Sequence, residues 1–255
     1  MGELSFVGLG LSDERGLSEQ AMEALRAADR VFAEEYTAVA PPGTLDRLAQ
    51  RLGRPVELLD RAALEAETPI LEALAHVPRV ALLVVGDPFA ATTHVALRLA
   101  AEAAGHTWRY LPNASILTAA AGYLGLMHYR FGRTVSVPLP DPGFAPRSMI
   151  DQIAGNLDRG LHTLVLLDLR PGEGRFLTAG EALEILLERD PDHVVLRPET
   201  PVAVVARVGS DTAAAWFGPI GALRAVAFGP PLHAVVIPAE LHFEETAAVE
   251  RFRVR

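Results

Sequence analysis

Residues 86–94 read GDPFAATTH and directly follow the apolar run 80–85. Their one acid, Asp87, stands where a strand gives way to a helix, and the carboxyl ends of strands in an α/β sheet are where ligands usually sit. A second reading uses the same residues. Gly86 can take backbone angles that a Cβ forbids, Pro88 pushes Asp87 into an extended conformation, and proline suits the first position of a helix, which makes Asp87 an N-cap. From the stretch alone the two readings stand level.

The other residues able to do chemistry are weaker candidates. The glycines of GLGL (8–11) follow a first strand as in a dinucleotide-binding loop, yet that loop wants a third glycine at position 13, where Asp13 stands. Such a glycine pair more often serves close backbone packing. Glu34 and Glu35 could form an acid–base pair, but neighbours on a strand point to opposite faces and cannot flank one bond. One is expected to face the core and the other solvent. Ser210, in VGSDT, follows a strand with no base beside it, and no Gly-x-Ser-x-Gly elbow occurs. None of the eight histidines has the paired helical spacing of a zinc site, so no metal is expected. His94 falls on the helix after the GDP turn, and His162 begins a strand. His233 follows the loop FGPPL (228–232) and opens the last strand, where it either faces a cleft or is a satisfied structural histidine. Arg130 and Arg133 could fork onto a carboxylate-bearing substrate, with surface solvation as the ordinary alternative.

Composition narrows the chemistry further. The 255 residues include no cysteine, which removes disulfides, thiol nucleophiles, iron–sulfur clusters and thiolate zinc sites. All 23 basic residues are arginine, and without lysine there is no Schiff-base or pyridoxal phosphate chemistry and no lysine-dependent phosphate loop. A net charge of −9 argues against nucleic acid as a direct partner. With 50% hydrophobic and 22% charged residues, the chain has the profile of a soluble protein with a sizeable core. The opening MGELSFVGLGLSDER lacks a basic leader and is too glycine-rich for a signal peptide or membrane span, so a cytoplasmic location without membrane association is expected. Chemistry supplied by a cosubstrate, with the protein contributing binding and orientation, fits what remains.

The elements that must position these residues alternate. LSFVGLG (4–10) reads as a buried strand, and 18–29 as a helix capped by Ser18. A strand at 30–36, a loop TAVAPPG, a helix near 43–52, a short strand PVELLD and a helix over 61–76 follow. Then come the strand 79–85, a helix near 92–104 and the strand 106–111. Repeated β-α units with uninterrupted apolar strands predict a mostly parallel sheet covered on both faces. After Pro112 the rhythm changes: a helix near 115–127, a strand TVSVPLP, a Pro/Gly-rich loop (138–146), a helix near 148–158 and a strand 162–169. TAGE (178–181) has capping-box spacing and predicts a helix to about 189. Three closely spaced strands end the chain and predict a mixed or antiparallel second sheet. Two domains are expected, 1–112 and 113–255.

Taken together, VGLGLSDERGLS, VFAEEYT, GDPFAATTH, NASI, GLHTLVLLDL, TAGEAL, ARVGS and PPLH run in order over nearly the whole chain. As a set they resemble the archaeal diphthine synthases, a branch of the tetrapyrrole-methylase superfamily of S-adenosylmethionine-dependent methyltransferases. The resemblance implies an α/β, two-domain tetrapyrrole-methylase-like fold, with a mostly parallel N-terminal sheet, a mixed C-terminal sheet, a cofactor cleft between the domains, and a homodimer. It puts cofactor contacts on Leu11, Asp87, Ala90, Ser115, Ile116, Leu167, Val208 and His233, which tilts the GDP turn toward a ligand role. The implied reaction carries methyl groups from S-adenosylmethionine to the amine of a 3-amino-3-carboxypropyl group on a modified histidine of translation elongation factor 2, ending at diphthine. Porphyrin and corrin methylases tend to carry Gly-Pro-Gly-Asp-Pro after the first strand; here Gly10 is followed by Leu11, Ser12 and Asp13, which favours the diphthine branch. The rival readings are a tetrapyrrole methyltransferase of the same fold and a non-enzymatic α/β ligand-binding module.

Overall fold

The computed structural model describes every residue except 37, 142–145 and 255. The loop expected at 138–146 and the one beginning at Thr37 therefore lie partly outside the described residues. The chain divides into two compact units, Met1–Ile116 and Leu117–Arg255.

The first unit runs β1 (Glu3–Gly10), α1 (Glu19–Ala27), β2 (Arg30–Glu34), α2 (Thr44–Leu52), β3 (Glu57–Leu59), α3 (Arg61–Glu65), α4 (Thr68–His76), β4 (Arg79–Val85), α5 (Val95–Ala103) and β5 (Thr107–Leu111). The strands form a parallel sheet in the order β3-β2-β4-β1-β5. Alternation along the strands builds two cores. Val7, Leu9, Val31, Ala33, Ala81 and Leu83 pack under α1 and α2 on one face. Leu4, Phe6, Phe32, Val80, Leu82 and Val84 pack under α4 and α5 on the other. The helix starts are locally specified: the Ser18 hydroxyl accepts from the Ala21 amide at 3.1 Å. The single helix expected over 61–76 is instead two, because Glu67 takes a left-handed conformation (φ 60°) and Pro69 restarts the chain in the first turn of α4.

The second unit runs α6 (Ile116–Leu124, its first residue in the first unit), β6 (Val135–Val137), α7 (Ser148–Leu157), β7 (Thr163–Leu167), β8 (Leu169–Arg170), β9 (Arg175–Phe176), α8 (Ala179–Glu188), β10 (Pro201–Ala206), β11 (Ala214–Pro219), α9 (Ile220–Leu223), β12 (His233–Ile237) and α10 (Phe243–Val249). Its main sheet has the order β11-β10-β12-β7-β6. Among the described residues only β6 and β7 pair in parallel there, so the sheet is mixed, and β8 and β9 form a separate small hairpin. Val135, Val165, Val202, Val204, Val235 and Ile237 line one face of the sheet and pack under α7, α8 and α9. Thr178 and Glu181 make the expected capping box at the start of α8.

Candidate functional site

In the first sheet β1 and β4 lie side by side, and their connections leave in opposite directions, through α1 toward β2 and through α5 toward β5. That makes their carboxyl ends a topological switch point. Gly10 and Gly86 meet there with φ of 82° and 80° and exchange backbone hydrogen bonds, Gly10 N to Gly86 O at 3.1 Å and Gly86 N to Gly10 O at 2.8 Å. The Asn113 amide group donates to the carbonyls of Gly8 at 2.9 Å and Gly16 at 3.0 Å, tying the start of NASI to the same strand end.

Asp87 is buried at this junction. Its Oδ2 accepts from the Tyr110 hydroxyl at 2.6 Å and the Asn113 amide at 3.2 Å, and its Oδ1 accepts from the Phe89 amide at 3.0 Å. Burial, together with the carboxylate that accepts its proton, pushes the Tyr110 phenol up to about 12. The expectation that Asp87 caps the next helix is corrected: α5 begins at Val95 with His94 in the cap position, and Asp87 Oδ1 instead closes the tight turn at Phe89. The intervening residues need their own supports, because Ala91 is left-handed with φ 59°. Leu11 follows Gly10 directly, Ala90 lies in the turn with its amide 3.2 Å from the Asp87 carbonyl, and Ser115 and Ile116 sit where the chain passes from β5 into α6. The structure thus gathers these five residues around the carboxyl ends of β1, β4 and β5.

In the second unit Leu167 ends β7, His233 opens β12, and Val208 follows the end of β10. The register sets Ala234 opposite Leu166 and His233 opposite Ala206, so all three lie at one end of that sheet. Arg207, left-handed with φ 51°, donates to the carbonyls of Phe228 and Pro230 and to Thr212, binding ARVGS to FGPPL. The His233 ring is fully engaged. Its Nδ1 accepts from the Ala179 amide at 3.3 Å and its Nε2 lies 3.1 Å from the Pro230 carbonyl, so Nε2 carries the proton. Burial holds this imidazole below its ordinary range. The ring also lines a groove of about 520 Å³ with Thr178, Glu181, Arg224 and Phe228.

Glu34 is buried, while Glu35 is only half-buried and is held above the usual carboxylate range by that burial. Arg130 is not a solvated surface residue: it pairs with Glu245, whose carboxylate also accepts from the Met127 and His242 amides and from His162. Burial raises the Glu245 carboxyl, the backbone donors and His162 lower it, and the donors prevail. Of the partners of Asp87, Tyr110 carried no signal of its own in the sequence, and Asn113 entered only as the first residue of NASI.

S-adenosylmethionine fits the first cluster on two counts. Asp87 Oδ1 retains accepting capacity beyond its one bond, and a Cβ added to Gly86 would meet nothing nearer than the Ala114 carbonyl at 4.0 Å, leaving room in front of the turn. Residues 3–224 match the tetrapyrrole (corrin/porphyrin) methylases. Over 249 residues, 97% of both chains, the sequence is 39% identical to a diphthine synthase of Methanococcus maripaludis. A diphthine synthase of Methanothermobacter thermautotrophicus is also 39% identical, over 95% of this chain and 92% of that one. A crystal structure of a diphthine synthase superposes with a TM-score of 0.89 at 35% identity, over 99% of this chain and 96% of that one. A β1–β4 switch point carrying Asp87, together with these full-length likenesses, means that the chain belongs to the tetrapyrrole (corrin/porphyrin) methylase family, alongside its diphthine synthases.

Proposed function

We propose that this protein transfers methyl groups from S-adenosylmethionine to the amine of the 3-amino-3-carboxypropyl group on a modified histidine of translation elongation factor 2, giving diphthine in diphthamide biosynthesis. The likeness to diphthine synthases over 97% of both chains carries this reading, and the relatives reported above bear that name rather than that of a porphyrin or corrin methylase. When bound, S-adenosylmethionine supplies a methyl group on a sulfonium, an already activated leaving group. The residues that contact it are Leu11, Asp87, Ala90, Ser115, Ile116, Leu167, Val208 and His233. Asp87 accepts a hydrogen bond from a ligand hydroxyl or ammonium at Oδ1. His233 contributes through its main chain, since both ring nitrogens are occupied. Placing the amine in line with the methyl group supplies the catalysis, and solvent takes the amine proton.

The partner is the elongation factor itself, with the enzyme acting as a cytoplasmic homodimer without metal, nucleic acid or membrane. Among the described residues no helix is long and apolar enough to cross a membrane. The test is calorimetric titration with S-adenosylmethionine, with NAD and ATP as controls, on wild type, Asp87→Ala and the isosteric Asp87→Asn. It is followed by methyl transfer to elongation factor 2 bearing the amine, with a porphyrin precursor as the control acceptor. Selective binding that weakens at least about ten-fold in both variants is expected, equivalent to losing a charge-assisted hydrogen bond. No binding by folded wild type, or transfer to the porphyrin precursor alone, overturns the reading.

A further inference from the structure

His94 is 1% exposed, yet nothing in the methyl-transfer reading uses it. Its Nδ1 lies 2.7 Å from the Pro88 carbonyl, and because a carbonyl only accepts, Nδ1 carries the proton. The same oxygen accepts from the Thr92 hydroxyl at 2.7 Å. Among the described residues Nε2 has no hydrogen-bond partner, and it is aimed at Glu34, 4.0 Å from Oε1 of a side chain that is itself fully buried. Glu34 Oε2 accepts from the Tyr36 amide at 2.9 Å, the Tyr36 ring meets the imidazole edge-on at 6.5 Å, and the Tyr36 hydroxyl lies 3.0 Å from Thr93 Oγ1. The chain end after β2 and the turn after β4 are therefore locked together around one imidazole.

The turn needs such a lock. Ala91 is held in the left-handed region, a conformation that persists in a residue with a Cβ only where the surroundings over-determine it. Pro88 cannot donate a backbone hydrogen bond, so its carbonyl is the handle by which the loop from Asp87 to His94 is closed. His94 sits in the cap position of α5, and its ring reaches back six residues to that handle.

Resting on the methyltransferase reading, we propose that His94 is a positioning residue for it: the Nδ1–H holds the Pro88 carbonyl and so sets the turn that presents Asp87 and Ala90 to the cofactor. The role belongs to one ring nitrogen, which makes it separable from mere filling of the core. Asparagine places its amide N–H near the Nδ1 position, glutamine places its own near Nε2, and phenylalanine fills the space without a donor.

The experiment compares wild type, His94→Asn, His94→Gln and His94→Phe by titration with S-adenosylmethionine. Amide hydrogen exchange at Phe89 and Ala90 is measured without ligand, and thermal melts establish that each variant is folded. His94→Asn is expected to bind within about three-fold of wild type, while His94→Gln and His94→Phe weaken binding by about three- to ten-fold, the loss of one hydrogen bond. Exchange at Phe89 and Ala90 is expected to quicken in the latter two only. Equal affinity and exchange in all folded variants overturns the proposal, as does equal loss in all three, because either result removes Nδ1 as the point of action. If wild type binds no S-adenosylmethionine, the methyltransferase reading falls and takes the positioning role with it. The exchange pattern then still reports separately whether His94 holds the turn.

Discussion

Replacing Gly8 by alanine tests whether the candidate site depends on backbone packing at the end of β1. The added Cβ would lie 2.7 Å from Asn113 Cβ, 2.8 Å from the Gly86 carbonyl oxygen and 3.0 Å from the Asn113 amide nitrogen. Carbon atoms pack at about 3.5–4.0 Å, so Asn113 must retreat by roughly 1 Å. Backbone lies on both sides, leaving no flexible side-chain end to give way. The retreat strains or breaks the two bonds from the Asn113 amide group to Gly8 and Gly16 and the one from its main chain to Asp87. Overpacking of about 1–3 kcal/mol, with three hydrogen bonds that each lose part of their roughly 1 kcal/mol, gives an expected loss of about 2–5 kcal/mol. The chain carries two tryptophans, Trp108 in the first unit and Trp216 in the second, so Trp216→Phe leaves fluorescence reporting on the first unit alone during urea unfolding. Affinity for S-adenosylmethionine should fall in parallel, because Asp87 loses its alignment. Gly155→Ala, within α7 and with nothing within 4 Å of the new Cβ, should stabilise the second unit by about 0.5–1 kcal/mol as a helical Gly-to-Ala change does. Were Gly8→Ala to unfold within about 0.5 kcal/mol of wild type with unchanged affinity, the packing argument would be wrong.

Stability should also fall as pH drops from about 8 to 6. His162 and His233 both titrate below their ordinary value of 6.5, chiefly through burial, so in this window the unfolded chain takes up protons that the folded one refuses. A second proton on either ring would go to Nδ1, which already accepts a backbone amide, from Ala239 in one case and Ala179 in the other. Glu35, raised above 4.5 by burial, works in the opposite sense from pH 4.5 upward, so urea midpoints near pH 8, 7 and 6 are taken in a Glu35→Gln background to isolate the histidines; a midpoint there that holds or rises toward pH 6 refutes the assignment. Asn156→Ala should cost the second unit about 2–4 kcal/mol, because the buried amide bridges the Arg133 N–H and C=O and the Thr163 hydroxyl. A urea midpoint for Asn156→Ala equal to wild type would mean that water replaces those bonds at no cost.

The sequence by itself determined the features that depend on a few neighbouring residues. The β-α rhythm, the Ser18 cap, the Thr178–Glu181 capping box and the glycine turn before Asp87 are set by side-chain periodicity and by hydrogen bonds within one helical turn. Their locations needed no tertiary information. Tertiary structure decided what those features do. Asp87 owes its orientation to Tyr110 and Asn113, 23 and 26 residues away, which parallel pairing of β1 with β5 brings alongside it. Asp87 does not cap α5, which starts at Val95 with His94 in the cap position. Glu245 illustrates the same limit. Its capping box at the start of α10 uses His242 in place of the usual serine or threonine, and its carboxylate also takes Met127 and His162, 118 and 83 residues distant, which no local pattern indicates. Short-range propensity fixes where an element begins, whereas the partners of a buried polar group are fixed by which strands the fold brings together, and burial makes those partners obligatory.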